Sequence, residues 1–207
     1  MSILVLTSDT LSSPAAVGQI EYSSPIFAAT PIGTQRGIVP TQQYYRLDSN
    51  LVGAVGTTTT AQSIFGVGVT LSASTVYEFE MVAALSKSAG TTSHTFGVGF
   101  GGTASINNIG YRLNVQNPTT SFTVVAIADY VMFVQTASNT TITGAQTSAN
   151  IFLSFVTKGT VSVNAGGTFI PQYTLTFTPG SVGPYSTAAG SYIRIAPVGA
   201  SGSNTSV

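Results

Sequence analysis

The sequence predicts an all-β protein: an antiparallel β-sandwich, jelly-roll-like, built as a single domain with a short N-terminal arm. Three observations carry this. No segment sustains a 3.6-residue apolar period, and the abundant Thr, Val, Ser and Gly are weak helix formers. Several segments alternate apolar and polar residues strictly, the period of a half-buried strand. About ten such segments are separated by Gly, Asn, Pro and Ser clusters, the spacing of sandwiches and jelly rolls.

The clearest strand is 75–87, where Tyr77, Phe79, Met81, Ala83 and Leu85 share one face and Glu78 and Glu80 lie on the other. The segment 169–178 repeats the pattern with Phe169, Pro171, Tyr173, Leu175 and Phe177. Pro171 lacks a ladder donor, so it is expected at a strand start, an edge or a bulge. Ile151, Leu153 and Phe155 face away from Ser154 and Lys158. Residues 18–22 and 26–30 form a hairpin around Ser23 and Ser24. Further strands are expected at 42–48, 92–100, 106–115, 122–127, 130–136 and 191–197. Residues 69–75 and 161–168 echo each other as strand, Ala-containing turn and strand; a pair of matching hairpins would suit a two-sheet Greek key, but similar hairpins need similar turns, and the echo is read as no more than that.

Of 207 residues only 6% are charged, with six Lys+Arg, six Asp+Glu and formal net charge zero. The polar positions are filled by 31 Thr and 25 Ser. Six cations in a neutral chain do not make a nucleic-acid stripe. The absence of Cys excludes a disulfide framework, a thiolate zinc site and a thiol nucleophile, and one His excludes the two-His metal motifs. No cofactor is expected. The longest apolar run, Phe122–Val134, is interrupted by Asp129 and reads as a buried strand, too short for a membrane helix. The N-terminus has four apolar residues without a preceding cation, so it is not read as a secretory leader. Residues 1–17 read as an arm, 18–199 as the domain and 200–207 as a polar tail.

Candidates for chemistry are few. Glu78 and Glu80, about 7 Å apart on one strand face, have glycosidase-like spacing but read as a solvated strand face. His94 sits among hydroxyls without a GxSxG elbow anywhere in the chain, and reads as a hydrogen-bonding strand residue. The glycines of 97–102 lack the Lys and Ser/Thr of a phosphate loop and mark a bend or a close backbone approach. No catalysis is expected. Tyr44 and Tyr45 are adjacent on a strand, so one faces in and one out, and the outward ring suits an interface. Ile3, Leu4, Val5 and Leu6 are the only apolar anchor of the arm and suit strand addition to a neighbour. Arg36, Arg46, Arg112 and Arg194 are potential partners for Asp48, Glu78, Glu80 or Asp129.

The segment GQIEYSSPIFAATP at 18–31, followed by QRGIVP at 35–40, resembles a segment common in tailed-bacteriophage structural proteins. There an IEYDG-x-x-F-x-x-TP hairpin precedes an RG-[IV]-x-P turn. AGTTSHT at 89–95, FGGTA at 100–104 and SYIRIAPVG at 191–199 resemble later motifs of that family. Here Ser23, Ser24 and Pro25 replace the usual Asp-Gly turn. The resemblance spans most of residues 18–199. It implies a β-sandwich, commonly trimeric, occurring in tail-fibre domains and in stand-alone virion proteins, with no catalytic residues to carry over. Residues 1–17 leave no room for an attachment module and shaft. The expectation is therefore a capsid decoration (cement) protein on the outer capsid surface of the virion, a homotrimer bridging major capsid protein subunits, with no nucleic acid or membrane as partner. The alternative is a tail-fibre receptor-binding domain for a host glycan or protein, with Tyr44, Tyr45, Asn107 and Asn108 gathered at one pole.

Overall fold

The computed structural model describes residues 10–11, 14, 16–23, 25–33, 35–39, 41–53, 59–116, 130–178 and 184–200. Among them the chain forms sixteen strands and no helix. The first six are β1 (Ile20–Ser23), β2 (Ile26–Ile32), β3 (Gln35–Val39), β4 (Gln43–Arg46), β5 (Leu51–Val52) and β6 (Gln62–Ser63). Then come β7 (Val69–Leu71), β8 (Thr75–Lys87), β9 (Phe96–Gly101), β10 (Ser105–Gln116) and β11 (Tyr130–Val134). The last five are β12 (Thr140–Thr141), β13 (Ile151–Ala165), β14 (Gly167–Leu175), β15 (Ser186–Thr187) and β16 (Tyr192–Ala200). Strand 75–87 matches its sequence expectation residue for residue. The surplus over ten comes from five pieces of two or three residues, too short to show a period, and from β3, which reads in the sequence only as part of a turn motif.

All pairings are antiparallel. The larger, eight-stranded sheet runs β11-β10-β13-β8, and β8 is then flanked by β16 and β4 along most of its length and by β15 and β5 at its end. The smaller sheet runs β12-β9-β14, with β6 and β7 sharing the far edge of β14. Taken in chain order, β4, β7, β8, β9, β12, β13, β14 and β16 divide equally between the sheets, changing sheet at every step except β9 to β12. They give orders 1-8-3-6 and 2-7-4-5, which is the jelly-roll arrangement. The β10–β11 pair enters between the fourth and fifth of these and widens the larger sheet past β13.

The core lies between the inward faces. Tyr77, Phe79, Met81 and Leu85 of β8 and Leu153, Phe155, Val161 and Val163 of β13 meet Phe96, Val98 and Phe100 of β9 and Phe169, Tyr173 and Leu175 of β14. Their alternation along each strand is the period read in the sequence. The two echoing segments turn out to be the two corners where the chain changes sheets, β7 to β8 and β13 to β14. They lie side by side: the Ser74 N–H donates to the Asn164 carbonyl at 3.3 Å, and Ser74 takes the left-handed conformation (φ 51°) that the tight corner requires.

A separate three-stranded sheet, β1-β2-β3, is formed by the N-terminal motif. Ser23 pairs with Ile26, so the hairpin expected around Ser23 and Ser24 is present. Ala28 and Thr30 of β2 are buried, while Ile20 and Ile32 are exposed.

Two expectations are corrected. Pro171 lies inside β14, neither at a start nor on an edge. Its neighbour strand changes there from β7, paired with 167–169, to β6, paired with 172–173. The missing donor therefore falls in a gap between two partners, and the Pro171 carbonyl still accepts from the Ile64 N–H at 2.9 Å. The run Phe122–Val134 is not a buried strand where it is described: β11 is an edge strand, with Val131 57% and Phe133 69% exposed. Residues 122–127 lie outside the described residues.

Lys87 ends β8 buried. Its ammonium faces the carbonyl oxygens of Gly90 at 2.6 Å and Ser148 at 2.5 Å, with those of Ala89 and Ala149 at 3.3 Å. Burial pushes its pKa down from the usual Lys range, while the carbonyls solvate the charge and tie two loops together.

Candidate interaction face

The outer face of the larger sheet carries a row of side chains set by register alone. Tyr44 on β4 pairs with Arg194 on β16, Arg194 with Glu80 on β8, Glu80 with Lys158 on β13, Lys158 with Arg112 on β10, and Arg112 with Phe133 on β11. Directly paired residues point to the same side of a sheet. The six therefore form one line across six strands, about 24 Å long at the usual strand spacing.

Glu80 is the centre of the line. Its residue is only 8% exposed. The Tyr192 hydroxyl donates to Oε1 at 2.6 Å, and Oε2 receives Lys158 Nζ at 2.5 Å and Arg194 Nη2 at 3.1 Å. These contacts, the Lys158 hydrogen bond foremost, hold its carboxyl at about 2, against the desolvation that would raise it. The same carboxylate, by accepting the Tyr192 proton in a hydrogen bond, pushes the Tyr192 phenol up. Glu80 is thus not the solvated strand residue expected from the sequence. Glu78, exposed, matches that description.

Beside the row, Tyr192 stacks on Tyr44 with ring centroids 5.5 Å apart. Arg46 pairs with Asp48 at the same edge. Arg112 finds, among the described residues, the side-chain oxygen of Asn114 at 3.2 Å. The Phe133 ring leans over Gly110, where a Cβ would stand 3.1 Å from its Cζ, so glycine makes room for the aromatic end of the row.

Tyr44 is 56% exposed on this face, while Tyr45 turns inward and meets Phe65 edge-on at 6.1 Å. The two tyrosines therefore divide between surface and core, as alternation dictates. Asn107 and Asn108 do not join them. Asn108 sits on β10 opposite Ser162, near the Thr75 end of the sheet and four strands from Tyr44, about 19 Å sideways. Ile3, Leu4, Val5 and Leu6 lie outside the described residues.

The remaining candidates have internal partners. His94 is buried, with Nδ1 2.7 Å from the Thr92 carbonyl and Nε2 2.9 Å from the Tyr185 hydroxyl. A carbonyl only accepts, so Nδ1 carries the proton. Burial lowers the His94 pKa, which keeps the ring neutral, and Nε2 accepts from Tyr185. Replacing Tyr185 by Phe is expected to lower unfolding stability by about 1 kcal/mol, read as a lower urea midpoint at unchanged m. The glycines of β9 mark a close approach: Asn139 lies against Gly97, and the Ala137 carbonyl is 3.0 Å from where a Gly99 Cβ would be. No group of three or more His, Asp and Glu able to hold a metal occurs among the described residues.

Three residues of the face escaped the sequence reading as site candidates: Lys158, Tyr192 and Phe133. Each was visible as a strand residue, but their alignment depends on the pairing order β16-β8-β13-β10-β11, which one-dimensional periodicity does not encode. No protein family, no curated protein and no solved structure matches the chain.

Proposed function

We propose that the chain is a structural virion protein that decorates and stabilises a bacteriophage capsid by bridging major capsid protein subunits, without catalysis. The observation that carries this reading is the row from Tyr44 to Phe133, a line of aromatic and charged side chains across six strands, suited to contact with a large surface. The resemblance of residues 18–40 and 191–199 to tailed-phage structural proteins supplies the context. In this reading three copies form a knob at a threefold position, and the arm 1–16, with Ile3–Leu6 as its apolar anchor, adds a strand to a neighbour.

The test is co-sedimentation of the purified chain with expanded capsids of the phage that encodes it, with copies counted per particle. Hundreds of copies support decoration. A handful, together with binding of the isolated chain to host cells, supports the tail-fibre role instead. Deleting residues 1–16 is expected to abolish capsid occupancy while leaving the melting temperature of the domain within about 2 °C. Unchanged occupancy would remove the arm from the proposal.

A further inference from the structure

Among the described residues, the charged side chains are distributed very unevenly over the sandwich. Of the six cations, Lys87 is buried among carbonyls, and the side chain of Arg36 lies outside the described residues. The other four, Arg46, Arg112, Lys158 and Arg194, all stand on the outer face of the larger sheet. The strands of the smaller sheet, β6, β7, β9, β12 and β14, contain no charged residue at all.

The internal balance of the charged face is incomplete. Glu80 serves both Lys158 and Arg194. Arg112 stands directly opposite Lys158, and like charges facing each other across a strand pair are unfavourable. Among the described residues Arg112 has only the neutral Asn114 side chain. Exposed Glu78 stands two residues along the same face from Glu80, so among the described residues the cation of the row left without a carboxylate partner is Arg112, flanked by exposed Phe133, with the Tyr44–Tyr192 stack at the other end of the row. Aromatic residues with arginine are the composition of contact hot spots.

We infer that this face docks onto an acidic protein surface, with partner carboxylates completing Arg112 and Lys158 and apolar partner groups covering Phe133 and Tyr44. This deepens, and rests on, the reading of the chain as a contact protein. A protein rather than a sugar is favoured because the row runs about 24 Å across six strands, whereas small ligands need concave sites that bury most of their surface. Docking of this kind is salt-dependent, unlike contacts made through hydroxyls alone.

The experiment titrates the isotopically labelled full chain with poly-L-glutamate, and separately with heparin, following amide shifts by NMR. The expected result is perturbation by poly-L-glutamate centred on residues 112, 158, 192 and 194, weakened about tenfold by Arg112→Glu. That variant places an acid beside Lys158 and, at an exposed position, is expected to fold, as its amide spectrum would show. Perturbation elsewhere, none with either polymer, or binding undiminished in Arg112→Glu would overturn the inference. Tighter binding of heparin would overturn the choice of protein over glycan. Capsids decorated equally by wild type and Arg112→Glu would likewise overturn it while leaving the decoration role standing. A chain that binds poly-L-glutamate at this face but never capsids would support it while removing that role.

Discussion

Phe79→Ala is expected to lower unfolding stability by about 4 kcal/mol, measured as the shift in midpoint of a urea transition. Phe79 comes from β8 at the centre of the larger sheet, and its ring meets Phe100 at 5.2 Å and Phe169 at 5.7 Å from the smaller sheet, and Tyr111 at 6.1 Å from its own. Phe100 and Phe169 stack on each other at 4.7 Å beneath it. One side chain therefore ties both layers of the sandwich. The truncation leaves a cavity walled by rings whose backbones are fixed in strands and cannot collapse into it. Phe79→Leu keeps much of the volume and should cost about 1–2 kcal/mol. Phe133→Ala removes a ring of the same size from an exposed edge and should stay within about 0.5 kcal/mol. Equal losses at 79 and 133 would mean that the two-layer packing is not what holds the fold.

The contrast between these two phenylalanines shows what the sequence could convey. Phe79 was legible because it repeats at two-residue intervals with Tyr77, Met81 and Leu85, and that period alone assigns it to the core. The strand boundaries 75–87 and the hairpin at Ser23 were legible for the same reason: both are local. Phe133 was read as buried because it belongs to an apolar run, and a run says nothing about whether its strand lies inside or at the edge of a sheet. Edge position is a property of pairing order. Glu80 makes the same point for the site. It alternates correctly with Tyr77 and Phe79, so its outward direction was plain, but its burial comes from Lys158, Arg194 and Tyr192, which are 78, 114 and 112 positions away in the chain. The turn echo at 69–75 and 161–168 was visible as composition, and only the fold shows it as two adjacent corners.

The low charge of the chain also changes meaning once the residues are placed. Averaged over 207 residues, 6% charge suggests a surface that makes contacts through hydroxyls. In the folded protein the smaller sheet fits that description, with Gly97, Gly99 and Gly101 on β9 and Thr and Gln on β14. The larger sheet does not. Sparse charge gathered on one face is more directional than dense charge spread over a whole surface, because few ions elsewhere offer a competing mode of approach.

Glu80→Gln is expected to lower stability at neutral pH by about 2 kcal/mol and to remove a specific acid sensitivity. The sign follows from the carboxyl's two environments. In the unfolded chain it titrates near the ordinary 4.5, and in the folded protein it is held at about 2. Between these values the unfolded state binds a proton that the folded state does not, so acidification favours unfolding. The contribution is therefore complete above pH 4.5 and is lost as the pH falls through 2. The full difference between the two values would correspond to about 3.4 kcal/mol, and the smaller figure allows for solvent around Lys158 and Arg194, which are 65% and 48% exposed. In the variant, Lys158, Arg194 and Arg112 remain adjacent without the Glu80 carboxylate between them, so part of the loss at neutral pH should be recovered by raising the salt concentration, which screens exposed like charges. Urea midpoints of wild type and variant measured from pH 7 to pH 2 should converge as the acid end is approached. Parallel curves would show that the carboxylate is not the element that binds the row together, and the arrangement of Arg194, Lys158 and Tyr192 would then owe its order to the strands alone.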